Sequence, residues 1–113
     1  MKTWKEGKLY RFQDLTPQGR IDAKLHFSKE SEAKKARYRF MMLSQNDLLE
    51  MLTGSYGPDL NEALNDPYVK ELEENIRLHG LENPTVGGEG MHRLLAQARI
   101  GKGAPYFGIE YED

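Results

Sequence analysis

The sequence predicts an α+β domain, a small mixed β-sheet with several helices packed against it. Three stretches, GKLYRF, RYRFMML and PYFGIEYED, are rich in aromatic and branched residues or alternate in polarity, as strands do. Three others, starting at Ser44, Asp66 and Met91, repeat apolar residues at helical spacing and carry helix start or stop signals. The chain has 113 residues and no cysteine, which suits one domain spanning 1–113 with a hydrophobic core and excludes disulfides, thiolate metal sites and thiol chemistry.

From the N-terminus, GKLYRFQDLTPQG reads as an opening strand that ends in a turn at Asp14, Thr16, Pro17 and Gly19. SKESEAKKARYRF sets Lys29, Lys34, Lys35, Arg37 and Arg39 against Glu30 and Glu32. Such a run is either a solvated face or mobile segment, or a set of phosphate-backbone contacts. RYRFMML is the next strand. Ser44 followed by Asp47 has the form of a capping box, and Leu48, Leu49 and Leu52 share a helical face that should stop near Gly54. Met41, Met42 and Met51 read as core filler, and Trp4 as a core or edge anchor.

In the second half, Asp66 can accept hydrogen bonds from the free amides of a helix start, and Pro67 suits the first helical position. Tyr68, Val69, Leu72 and Ile76 then fall on one face, and Gly80 ends the helix. Pro84, Thr85 and Val86 supply an extended path into the glycines. A third helix follows, with Met91, Leu94, Leu95 and Ala98 on its apolar face and Gly101 and Gly103 closing it. In the last strand Phe107, Ile109 and Tyr111 alternate with Gly108, Glu110 and Glu112. His79 reads as a residue of a helix end and His26 as part of a strand near Phe27.

With 16 basic and 18 acidic residues the net charge is -2, so a strong global attraction to nucleic acid is not expected, although local basic patches are. No apolar run approaches the roughly 20 residues that span a bilayer, and MKTWKEGKLY lacks the apolar segment of a signal peptide. The expected location is the cytoplasm, with no membrane partner. No histidine pair has ligand spacing, so no dedicated transition-metal site is expected.

The chemistry concentrates in PTVGGEGMHR, residues 84–93. A strand, a glycine-rich loop and a helix make an anion site, because the first amides of a helix lack internal acceptors and the helix dipole is positive there. On this reading Gly87, Gly88, Glu89, Gly90 and Met91 wrap a phosphate. Arg93 forks onto its oxygens and His92 donates a hydrogen bond or shuttles a proton. Glu89 could hold Mg²⁺ or orient a water. The alternative is a plain turn, with His92 half-exposed and Arg93 paired to a surface carboxylate. The spacing matches neither the Walker nor the dinucleotide-binding loop.

Residues 69–111 resemble the N-terminal domain shared by ParB partition proteins, ParB-like nucleases and sulfiredoxins. The order is a helix, a Gly-Leu-x-x-Pro turn at Gly80–Pro84, a strand, a phosphate loop ending in the basic pair His92-Arg93, a helix and a closing strand. The resemblance implies the ParB/sulfiredoxin-like plan for the sheet, with 66–113 as its helix, phosphate-type loop, helix and strand and 1–65 as a divergent N-terminal part. It also implies catalytic roles for Glu89 and His92, and nucleotide contact by Asn83.

The departures matter as much. Gly90 and Met91 stand where ParB proteins carry two arginines after Gly-Glu, and Asn83 stands where they have a glutamine for the nucleotide base. Sulfiredoxins need a cysteine at the position of Met91, so that activity is excluded. A chain ending at residue 113 is not expected to carry the helix-turn-helix domain of partition proteins. Two functions therefore stand. One is a nucleotide- or phosphate-binding domain, with nuclease or phosphohydrolase activity on nucleic acid or nucleotide as a subset. The other is a non-catalytic module that contacts DNA or a protein partner through the basic stretch from Lys24 to Arg39. A second copy of the chain, in a homodimer, is a further candidate partner.

Overall fold

The computed structural model describes residues 4–80 and 83–111. Strand β1, Leu9–Tyr10, is only two residues long, because the chain turns directly into a single 3-10 turn at Phe12–Asp14. The expected turn at Thr16, Pro17 and Gly19 is instead the start of helix α1, Pro17–Phe27. Thr16 Oγ1 accepts the Gly19 amide at 3.0 Å, and Pro17 occupies the first helical position, where a missing N–H leaves nothing unsatisfied. His26 therefore lies in the last turn of a helix and not in a strand. The charged run that follows folds as helix α2, Glu30–Lys35. Its lysines form exposed pairs along the helix, Lys34 with Glu30 at 3.7 Å and Lys35 with Glu32 at 3.9 Å.

The remaining strands are β2, Arg37–Leu43, β3, Thr85–Val86, and β4, Ala104–Glu110. They join β1 in one mixed sheet of order β1-β2-β4-β3. β1 and β2 are antiparallel, with Tyr10 opposite Tyr38, and β3 and β4 are parallel, with Val86 opposite Phe107.

The chain divides into two compact units. One comprises Met1–Met42, Asn83–Gly90 and Pro105–Asp113, and the other Leu43–Glu82 and Met91–Ala104. The first, the sheet unit, is built on rings. Trp4 meets Tyr10 edge-on at 5.0 Å and Phe107 at 4.9 Å, and Phe40 meets Phe107 at 5.3 Å, the geometry that aligns ring edges with π faces. Ala23 of α1 and Ala33 of α2 are fully buried in the same core, small residues that let the helices approach closely. The Tyr38 hydroxyl donates to the Ala33 carbonyl at 2.6 Å, and burial, with a smaller contribution from Tyr111, pushes its pKa up to about 12. Met42 and Tyr111, expected inside, are exposed.

The helical unit contains α3, Gln45–Tyr56, α4, Leu60–Leu64, α5, Pro67–His79, and α6, Met91–Ile100. The expected caps are in place, with Ser44 Oγ accepting the Asp47 amide at 3.1 Å and Asp66 accepting the Tyr68 amide at 2.8 Å. Helix α3 runs through Gly54 and ends at Gly57, whose φ is 55°. An exposed glycine inside a helix costs under about 1 kcal/mol relative to alanine, so Gly54 alone does not stop it. Leu48, Leu52, Val69, Leu94 and Leu95 form an aliphatic interior, whereas Tyr68, expected on the buried face of α5, is exposed.

Two polar clasps tie these helices. Glu73 accepts Arg99 Nε at 2.5 Å and Arg77 at 2.8 Å, and Arg99 also donates to the Leu64 carbonyl at 3.1 Å. Gln45 donates to the Ala98 carbonyl at 2.8 Å and accepts the Gly103 amide at 3.2 Å. No helix among the described residues is long and apolar enough to cross a membrane.

Candidate functional site

The glycine loop leaves the sheet at β3. Thr85 and Val86 are buried, and the Gly87 amide extends the parallel ladder by donating to the Phe107 carbonyl at 3.0 Å. The chain then turns sharply. Gly87 has φ 59°, the Glu89 amide returns to the Val86 carbonyl at 3.3 Å, and Gly90 has φ 80°. Glycine takes such angles without a side-chain clash. One side of the turn is filled and the other open. A Cβ on Gly87 would lie 2.6 Å from Ile109 Cδ1 and 3.6 Å from His26 Nδ1, while a Cβ on the exposed Gly88 would have no atom within 4 Å.

The residues expected at the site are divided between the units. Asn83, Gly87, Gly88, Glu89 and Gly90 belong to the sheet unit, where Gly87 is buried, Gly88 exposed and the other three half-buried, and Met91, His92 and Arg93 belong to the helical unit, where they open α6. His92 is exposed, with its ring edge-on to Tyr68 at 5.1 Å and 84°. Arg93 is half-buried, and its Nε is shielded from solvent. Of the Gly-Leu-x-x-Pro turn, Leu81 and Glu82 lie outside the described residues, as does Glu112 of the closing stretch. Among the described residues no group of three or more histidines or carboxylates could hold a metal ion.

His26 and Ile109 reach the loop, and the sequence did not connect them with it. His26, exposed at the end of α1, places Nδ1 beside Gly87, and its Nε2 lies 3.3 Å from the Tyr111 hydroxyl. Phe27 packs edge-on to both rings, at 4.8 Å from His26 and 5.6 Å from Tyr111. The Thr16-Pro17 cap would have moved His26 onto a helix. Nothing in the spacing signals a contact between residues so far apart in the chain.

The basic stretch from Lys24 to Arg39 is less available than its composition suggests. Besides the paired lysines of α2, Arg39 is bound to Glu110 at 2.5 Å and to the Gly7 carbonyl at 2.5 Å, and Arg37 donates to the Lys35 carbonyl at 3.1 Å. The bond to Arg39 lowers the Glu110 pKa from its ordinary value. Comparison with family models, with curated proteins and with solved structures gives no match.

Proposed function

We propose that the chain is a phosphate- or nucleotide-binding domain whose ligand is held by the backbone of the turn Gly87–Gly90. The observation that carries this reading is the exposed Gly88 with open space where a side chain would be, between two residues of the turn that have left-handed backbone. Consecutive amides in such a turn converge on an anion, and the absent side chain lets the anion approach the backbone closely. The Glu89 amide is committed to Val86, and on this reading the ligand sits on the Gly88 amide. The resemblance to the ParB/sulfiredoxin group, with His92-Arg93 next in the chain, supports the same assignment.

A ligand bound only by the folded state raises the melting temperature in proportion to its binding. A thermal-shift series with nucleoside di- and triphosphates, with and without Mg²⁺, is expected to give a shift, and a flat series removes the reading. Arg93→Ala tests whether the basic pair contributes. Loss of a charge-assisted contact of about 1.5–3 kcal/mol weakens binding on the order of tenfold to a hundredfold, and equal binding by the variant would leave the turn acting alone. Phosphohydrolase activity, which the resemblance implies, would appear in the same samples as released phosphate, and nuclease activity as shortened oligonucleotide when a single-stranded or duplex oligonucleotide is added.

A further inference from the structure

We propose that the outward face of α1 is a docking surface for a second copy of the chain, which seats the outward face of its own α5 there. The inference is independent of the phosphate-binding reading, since neither face includes a residue of the glycine turn.

Helix α1 belongs to the sheet unit and buries Gly19, Asp22 and Ala23. On the opposite side Ile21 and Leu25 stand one turn apart, both exposed, Leu25 to 62%. Single aliphatic residues are normal on a surface, but two at this spacing form a ridge into which a side chain of another helix can pack. The charge around the ridge has one sign. Lys24 and Lys29 are exposed and Arg20 is half-buried. The one carboxylate between Asp14 and Glu30 is Asp22, which is buried and accepts from Gln18 at 3.1 Å. The lysines of α2 differ, being matched by Glu30 and Glu32 of their own helix. The ridge therefore fits a partner that brings an aliphatic side chain together with carboxylates.

Helix α5 of the helical unit has that chemistry. It buries Val69 and half-buries Leu72, Glu73 and Ile76, and on the opposite side Glu71, Glu74 and Leu78 are exposed, Leu78 to 70%. Arg77 beside them is held by Glu73 at 2.8 Å, which leaves Lys70 against two carboxylates. The same contrast extends to the whole units. Lys and Arg outnumber Asp and Glu in the sheet unit, and the reverse holds in the helical unit. In an antiparallel crossing Leu78 of the second copy enters between Ile21 and Leu25, and its Glu74 and Glu71 run toward Lys24 and Lys29. Opposite charges then fix the register of an aliphatic contact. Two helices meeting over a few turns bury less than a standard interface, so the association is weak and depends on concentration.

The test is sedimentation of the wild type from micromolar to millimolar concentration. The average mass is expected to rise with concentration, and to rise less at high salt, which screens exposed charges. Leu25→Glu should keep the chain monomeric. Lys24→Glu and Glu74→Lys should each weaken association about tenfold or more, because like charges then face each other. The double variant Lys24→Glu with Glu74→Lys should recover it, since the pair is restored with its signs exchanged. These positions are all exposed, and the melting temperature of each variant checks that it folds. A wild type that stays monomeric throughout overturns the proposal, and so does association that Leu25→Glu leaves unchanged. Failure of the double variant to associate when both single variants are weakened shows that α1 and α5 do not meet, and overturns it as well.

Discussion

The sheet unit and the helical unit each contain a glycine with left-handed backbone pressed against a neighbour, and they surround it differently. In the sheet unit Gly87 faces the tip of Ile109, a side chain that can turn, and its neighbour Gly88 faces open space. In the helical unit Gly103 faces a backbone carbonyl that cannot turn, that of Leu43, which a Cβ would approach to 2.1 Å. Its amide is also tied to Gln45. A glycine packed on backbone serves the architecture. A glycine beside an open and exposed neighbour leaves room for something that is not protein.

The sharpest way to break this comparison is Gly103→Ala. The left-handed φ of 78° costs an alanine about 1–2 kcal/mol, and relieving a contact with main chain adds about 1–3 kcal/mol of overpacking. We expect a total loss of about 2–5 kcal/mol in chemical denaturation. A loss no larger than that of Gly87→Ala would show that the two glycines do the same work.

The next effect comes from charge. Glu73 and Arg99 in the helical unit have side chains 15% and 29% exposed, against 47% and 39% for Glu110 and Arg39 in the sheet unit. Screening by water makes the exposed pair the weaker one. Glu73→Ala should cost about 2–3 kcal/mol, since it removes hydrogen bonds to two guanidinium groups. The bonds from Arg99 and then Arg77 lower the Glu73 pKa from its ordinary value. A carboxylate with a lowered folded-state pKa contributes stability above its unfolded value, about 4.3, and loses it as the pH falls through the folded value. Urea unfolding of the wild type should therefore weaken as the pH falls below about 4.3, and Glu73→Gln should flatten part of that slope. Glu110→Gln should flatten it less.

How much of this was legible in sequence depended on the range of the interaction. Caps and terminators act within four residues, so Ser44, Asp66, Pro67 and Gly80 could be placed correctly. The Thr16-Pro17 start acts over the same range, but its residues are equally turn formers, and the choice was decided by burial of Ala23 in a core that the local pattern does not show. Exposure of Met42 and Tyr68 likewise follows from packing rather than from periodicity. The glycine loop was visible as composition. That His26 and Ile109 flank it was not, since both are remote from the loop in the chain.

A smaller effect is expected for Gly87→Ala. The φ of 59° again costs about 1–2 kcal/mol, but the close contact is with the end of Ile109, which can change rotamer. Thermal unfolding should show a loss in that range and no more. A loss matching Gly103→Ala would mean that the turn is as tightly packed as the helical unit's, and that it has no room for a ligand.

The smallest expected effect on stability is the most informative about function. Gly88 does not have a left-handed φ, and an added methyl would touch nothing within 4 Å. Gly88→Ala should therefore leave the melting temperature unchanged or raise it slightly, because alanine restricts the unfolded chain by about 0.4–1 kcal/mol where the native conformation accepts it. The same methyl would stand where an anion must come to reach the Gly88 amide. A phosphate-binding turn predicts a variant that folds as well as wild type and has lost the thermal shift given by nucleotides. A structural turn predicts a variant like wild type in every measurement. Retention of a full nucleotide shift by a stable Gly88→Ala protein would place the ligand away from the turn and make Gly87–Gly90 a connection only.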